Sequence, residues 1–551
     1  MRLRGVVRLW PMLRKTRRTT GKRKTWARST AVPEGVGLVL AVLWSMAGLA
    51  QEDPALPEDS LTMERMIEGI ADGSVTLHSL RRRGMEVFTT PFNSFDGYGD
   101  GPYVGEFPST DFGHRPTLQG NGMTLRVNGL DAQSCNECHS FVKQSARPPV
   151  LGIGGVGGIV QNAIIMPSLI DVADSADVRV NYTSGHDPDL PLTPDGAADF
   201  DGRYANPPFL FGGGGVELLA KEMTADLQGA LATARAAEVG TITPLVTHGV
   251  DFGHIETAAA GAVALRVEGI GFEDNAGRRP EDVLVVRPFG RKGENFSMRD
   301  FDRVAMQFHF GMQPVEVVGE HVDADGDGVM NEVTAVEMSA LHVFDVSNPV
   351  PVIDRLGDEG VAGFSHFLDS GCGNCHRPVL KTRSRHLTLS FPEVPEDPWA
   401  NVYAEVDLVE VGFKPVPGEE GVFVPLFADL KRHDMGRGLQ ETFSRGEIAN
   451  ADFTTARLWG VADTAPYLHD GRATTLTQAI EAHGGDAQAA RDAFMQLPDE
   501  GRAQVIAFLG RLRTPENPNE ELIDRPAADP DAQPEALEEP SSFLTSRFEV
   551  P

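Results

Sequence analysis

Apolar residues recur at three- and four-residue steps from Val216 to Ala237, where Leu218, Leu219, Met223, Leu227 and Leu231 fall on one face and predict a helix. The same period, in shorter stretches, predicts helices over Met63–Ile70, Leu77–Phe88, Met298–Met312, Val333–Phe344, Leu476–His483 and Gly501–Leu512. Alternation of apolar and polar positions is confined to a small insertion at about 241–290, with strands expected at Ala262–Val267 and Val283–Val286. Between these elements lie long stretches of turn residues, Pro91 to Arg115 and Thr183 to Ala205 among them. The first also carries Phe92, Phe95, Tyr98, Tyr103, Phe107 and Phe112, whose rings fill gaps between loops or cover a flat ligand. Pro349–Pro351 ends a helix and marks a boundary between units at 51–350 and 351–514, and the acidic, proline-rich residues 515–551 have almost no period and are expected to be disordered. The expected fold class is mainly α, with two helical units, loop-rich elaborations and a β-containing insertion.

Composition sharpens this picture. With 59 glycines and 38 prolines in 551 residues, irregular connections are long, as when few helices wrap a large flat group. Residues 1–30 carry eleven Lys or Arg and no acid, and the apolar run Val36–Leu49 ends in Ala47-Gly-Leu-Ala50, an export signal with cleavage near Ala50. Retention as an anchor is the alternative, against which Glu34 and the short apolar core argue. Without residues 1–50 the chain has 38 Lys or Arg against 78 Asp or Glu, a balance of minus 40. That surface repels nucleic acid and anionic lipid and favours a partner with a basic surface.

The chemistry gathers at four cysteines. Cys135-Asn-Glu-Cys138-His139 and Cys372-Gly-Asn-Cys375-His376 each place two thiols one turn apart with an imidazole directly after them, and no cysteine is left over. A redox dithiol or half of a zinc site needs only the cysteine pair. Two histidines in the same place point instead to two c-type haems, held by thioethers and ligated by His139 and His376. Because such haems are attached after export, the periplasm is the expected compartment. Gly152 to Gly158 lacks the lysine and the strand–helix context of a nucleotide loop, and a tight turn or close backbone approach explains its glycines. Asp323, Asp325, Asp327 and Asn331 stand at positions one, three, five and nine of a calcium-type loop over 323–334, with Thr334 where a bidentate glutamate belongs. His309, Met306 and Met312 offer iron ligands or core filler on one predicted helix.

Leu458-Trp-Gly-Val, Thr464-Ala-Pro-Tyr-Leu-His-Asp-Gly471 and Thr475-Leu-Thr-Gln-Ala-Ile480, together with the two haem-type runs, resemble the di-haem cytochrome c peroxidase superfamily, closest to its di-haem (thiol) oxidoreductases. The resemblance implies cytochrome c-like domains, a peroxide-reactive N-terminal haem and an electron-transferring C-terminal haem. It also implies a sixth iron ligand at the helix end matching His483, where relatives commonly carry methionine, with Met435 as the competing ligand. A glutamate that moves protons near the first haem maps to Glu222 or Glu217 after Phe209-Leu-Phe-Gly212, although four glycines replace the usual tryptophan-containing pattern. His309 is a further acid–base candidate. Peroxide reduction with electrons from a small redox protein is the expected function. The alternatives are oxidation of an organic or protein substrate through high-valent haem iron, and plain electron carriage, which the length of the chain disfavours.

Overall fold

Thr62 and Thr76 each turn a side-chain oxygen toward the backbone N–H groups that follow, satisfying donors that a helix start would otherwise leave orphaned. Helices α1 (Met63–Asp72) and α2 (Leu77–Thr89) begin there. The computed structural model describes residues 54–56, 61–99, 134–137, 139, 207, 210–270, 284–441, 448–516 and 518–522, together with paired strands at Thr117–Leu118, Met123–Thr124, Ile164–Val172 and Ala198–Ala205. The expected signal segment, the Gly152–Gly158 run, Cys138 and residues 523–551 lie outside the described residues.

The long helix α3 spans Gly213–Ala236 and so starts inside the glycine run, three residues before the expected Val216. A Cβ on Gly214 would sit 2.4 Å from the Val346 carbonyl oxygen, and one on Gly215 would sit 2.5 Å from the Phe413 ring. The glycines therefore let this helix start press against two neighbours at once. After α3 comes an antiparallel sheet, β1 (Ile242–Thr247), β2 (Val250–Ala259) and β3 (Ala262–Val267), in sequence order. The strand expected at Val283–Val286 does not form: Leu284, Val285 and Val286 are buried in irregular chain. Their backbone is satisfied by α3 side chains, Val286 N–H donating to Thr224 Oγ1 at 3.0 Å and Gln228 donating to the Leu284 carbonyl at 2.8 Å.

Helix α4 (Met298–Ala305) runs into a π turn, Met306–Phe310, closed by Gly311 at φ 70°. Helix α5 (Ala335–Val346) follows a Thr334–Glu337 capping box. Beyond Pro351 come α6 (Gly357–Asp369), α7 (Leu476–Glu481), α8 (Gln488–Gln496) and α9 (Asp499–Leu509). Short antiparallel strands pair between them, among them His386–Ser390 with Val402–Asp407. The described fold is mainly α with β-strand insertions, and none of its helices is long and apolar enough to cross a membrane.

The central apolar core draws Leu218, Met223, Phe252 and Val343 from one side of Pro349–Pro351 and Leu387, Phe413, Leu426 and Trp459 from the other. It thus runs across the boundary expected there. Two further clusters flank it, one containing Cys135 and one containing Cys372. The chain stays packed past residue 515: Leu522 is buried in the Cys135 cluster, Arg81 pairs with Glu521 at 2.6 Å, and Asn519 donates to Asn348 at 2.8 Å.

The two flanking clusters are built alike. Helix α2 crosses α5 where a Cβ on Gly84 would lie 2.0 Å from the Ala340 carbonyl oxygen, and α6 crosses α9 where a Cβ on Gly363 would lie 1.9 Å from that of Gln504. Four residues on from each contact point, aromatic rings meet: Phe88 with Phe344 at 5.2 Å, and Phe367 with Phe508 at 5.4 Å. Gly363→Ala is expected to destabilise the fold by about 1–3 kcal/mol, since the methyl meets backbone that cannot rotate away. A denaturant midpoint unchanged from the parent would contradict this close crossing.

Candidate functional site

Each cysteine run folds into the same single turn. Cys135–Glu137 and Cys372–Asn374 are 3-10 turns, and in each the histidine N–H donates to the first cysteine's carbonyl at 2.9 Å. The second turn directly follows α6 and packs Cys372 against the cluster that holds Phe364 and Phe367 of that helix. Burial pushes the Cys372 thiol up to about 11, so it stays protonated at neutral pH.

At the second turn the structure brings His483 to His376, their ring centroids 6.4 Å apart with planes inclined at 54°. His376 Nδ1 lies 3.1 Å from the Phe427 carbonyl, and His483 Nδ1 lies 2.7 Å from that of Ala479. A carbonyl can only accept, so both Nδ1 atoms carry the proton in these contacts, which makes Nε2 the ligand-type nitrogen of each neutral ring. The 6.4 Å separation accommodates two metal–nitrogen bonds of roughly 2 Å plus two ring radii. Burial, and then His483, push His376 down to about 4, while burial lowers His483, so both rings are neutral as ligands must be. Phe364, Phe367, Phe427, Val461 and Phe508 supply apolar walls around Cys372, with Tyr467 and Ile480 packed against them. These residues fit a haem held by Cys372 and Cys375 and ligated from both faces. Met435 is half-buried, and its carbonyl lies against Gly484, where a Cβ would be 3.0 Å away.

The sequence reading missed His433. Its Nε2 meets Asp429 at 2.9 Å and its Nδ1 lies 3.9 Å from Cys375 Sγ. Burial opposes its charge, but bonds to Asp429 and Cys375 outweigh that and bring it up to about 10. His433 thus stands beside Cys375, tied to Asp429. The i, i+4 spacing of Asp429 and His433 was the available signal, although the run is not helical.

Around the first turn, Cys135 packs with Phe88, Phe92, Met306, Phe310, Met312, Leu341 and Phe344. This apolar, aromatic lining also fits a haem. His309 belongs to the π turn that contributes Met306 and Phe310 to the lining. Such turns, rare in helices, recur at functional sites.

Glu217 and Glu222 are engaged elsewhere. Glu222 accepts the N–H groups of Arg383 at 2.9 Å and Ser384 at 3.0 Å and faces His248 at 3.3 Å, fastening a distant loop to α3. Glu217 has no exposure and meets Lys221 at 2.9 Å, His342 at 3.0 Å and the Met298 N–H at 2.9 Å. Glu393 joins Glu217 and His342 in one cluster of ligand-type atoms, all within 4.8 Å of one another. The Lys221 ammonium already supplies positive charge to Glu217. Beside this cluster Asp302 and Asp345 adjoin, and burial and their mutual repulsion raise Asp302 well above the usual carboxylate range. The three aspartates of the calcium-type loop also offer oxygens within 4.8 Å of one another.

Residues 412–512 match the family described as "Di-haem oxidoreductase, putative peroxidase". The matched stretch holds His433, Met435, His469 and His483, and covers less than half of the chain. No curated protein matches. Among solved structures, the chain is similar to Kuenenia stuttgartiensis hydrazine synthase at 16% identity, over 50% of this chain and 78% of that one, with a TM-score of 0.25. It is also similar to a MauG-like protein associated with microbial copper homeostasis, at 15% identity over 54% and 87%, with a TM-score of 0.19. At these scores neither likeness bears on what this chain does.

Proposed function

We propose that the chain is an exported di-haem c-type oxidoreductase that reduces peroxide at the Cys135–Cys138–His139 site with electrons relayed through the Cys372–Cys375–His376 site. The observation that carries this reading is the His376–His483 pair, two neutral imidazoles with each Nδ1 on a backbone carbonyl and 6.4 Å between ring centroids. Two haem-type motifs in identical turns, each under a glycine-crossed helix pair, support reading both clusters as cytochrome c-like units. The match over residues 412–512 supports the same chemistry.

Bound haem would supply the redox change, accepting single electrons at one site and passing them to peroxide at the other. The residues of this chain divide the remaining work. His376 and His483 would hold the iron at the second site between them, which would suit it to electron transfer and close it to small ligands. At the first site His139 would supply one ligand to the haem, and Phe88, Phe92, Phe310 and Phe344 exclude water. His309 is the acid–base candidate on the element that lines this site, whereas Glu217 and Glu222 are held in ion pairs away from it. The excess of acidic residues suits a small, basic electron donor.

The test uses the full chain matured in a host that attaches c-type haem. Carbon monoxide added to the reduced protein is expected to shift the Soret band of one haem only, and peroxide to oxidise a reduced basic cytochrome catalytically. No response to carbon monoxide would leave electron carriage. A response without peroxide turnover, but with product formed from an added partner, would favour substrate oxidation instead.

A further inference from the structure

We infer that Glu217, His342 and Glu393 bind one divalent metal ion of the zinc class, and that this ion clamps α3 and α5 to the chain beyond Pro351. Glu217 lies on α3, His342 on α5, and Glu393 in the connection between the paired strands His386–Ser390 and Val402–Asp407. One ligand-type atom from each falls within 4.8 Å of the other two, and His342 Nε2 lies 3.0 Å from Glu217 Oε2. Two donors that each sit roughly 2 Å from a common ion are themselves roughly 3 Å apart, so this pair needs little movement to share one.

Open space and unanswered atoms lie beside the cluster. A cavity of ≈ 10 Å³, about the room that one water or one ion takes, is lined by Lys221, Phe296, Ser390 and Glu393 among others. Ser390 is 3% exposed, and its Oγ is buried with no protein partner. Glu393 Oε1 is likewise buried without a partner, whereas its Oε2 accepts the Ser297 hydroxyl at 2.5 Å. Buried polar atoms left open beside such a space are costly unless something there completes them.

Charge decides what that is. Glu217 and Glu393 bring two carboxylates, while Lys221, on Glu217 Oε1 at 2.9 Å and the Thr388 carbonyl at 2.6 Å, brings one ammonium. Burial pushes the Glu393 acid up, with Lys221 and His342 acting against it, as for a carboxylate whose counter-charge is incomplete. A cation supplies the missing charge, and a water molecule does not. One imidazole with two carboxylates favours zinc-class ions over calcium, which takes oxygen alone. Three protein donors leave a fourth position for water or for Ser390. Lys221 keeps its bond to Glu217 with or without the ion, and in the ion-free chain it is the full cation that Glu217 retains.

Glu217 and His342 precede Pro349–Pro351 and Glu393 follows it, so the ion would tie together the two stretches that share the central core. The site uses no cysteine and does not rest on the function proposed above.

Full-length protein with its haems attached, stripped with chelator and titrated with zinc chloride by calorimetry, is expected to bind one ion with a dissociation constant below about 10⁻⁶ M. Excess calcium chloride should leave that zinc in place. X-ray absorption at the zinc edge should show one imidazole among nitrogen and oxygen donors and no sulfur, and His342→Gln should lose the imidazole signature. Glu393→Gln should weaken binding at least about tenfold, yet unfold no earlier than the parent in chelator, because it removes a buried acid. Absence of zinc binding in the parent, displacement by calcium, sulfur at the metal, or affinity unchanged in Glu393→Gln would overturn the site. Zinc should also raise the unfolding midpoint of the parent, and binding at this site without that rise would overturn the clamp. A chain that binds zinc in this way but carries no haem would count only against the proposed function.

Discussion

His483→Ala is expected to turn the second haem from six-coordinate low-spin to high-spin and to open it to carbon monoxide, so that both Soret bands respond where only one did before. The His376 and His483 ring centroids lie 6.4 Å apart with each Nδ1 on a backbone carbonyl, so on the proposed reading removing His483 takes away one of the two iron ligands. Imidazole stabilises ferric iron better than thioether does. His483→Met should therefore keep the low-spin state and raise the potential, within the roughly 0.8 V range over which axial ligands act. Electron paramagnetic resonance and a redox titration read both outcomes. A low-spin His483→Ala protein whose spectrum changes only on Met435→Ala would assign the ligand to Met435 instead.

The second large effect concerns Lys221. Lys221→Met leaves Glu217, which has no exposure, facing His342 without its nearest full cation, and is expected to cost about 3–5 kcal/mol in a urea titration. Adding Glu217→Gln should recover most of that loss, because the penalty comes from an unpaired buried charge. Burial alone would raise the Glu217 acid, but Lys221, His342 and the Met298 N–H outweigh it and hold it well below the usual range. A folded-state value below the unfolded one gives stability that is fully present above about pH 4.3 and is lost as pH falls further. In Lys221→Met the acid should rise instead, so stability should begin to change at higher pH than in the parent. Parallel pH profiles for the two proteins would remove the ion pair from this account.

What could be read from the sequence was what short-range chemistry decides. The two cysteine turns, the Thr76-capped helix and the apolar face of α3 depend on neighbours within a few residues, and all were legible. Val283–Val286 was not, because its backbone partners, Thr224 and Gln228, lie on a helix some sixty residues earlier, and no local pattern distinguishes a buried irregular stretch from a strand. Glu222 has the same difficulty: its partners Arg383 and Ser384 are far along the chain, so no local pattern announced that it fastens a loop to α3. The span after Cys375 read as loops, since strands as short as Val422–Val424 and Arg432–Asp434 declare themselves only through pairing. Glycine carried two meanings, turn and close contact, and in the run from Gly213 to Gly215 the second applied.

The glycine crossing and its aromatic partner occur twice, once before each cysteine turn, at the same four-residue offset. Because residue type and spacing coincide, each crossing serves as a control for the other. What both share, a glycine contact and a ring pair one turn on, is what brings two helices this close. What differs, a histidine at the end of a helix beside one and a widened helical turn beside the other, is where an exchange between the two surroundings would show its effect.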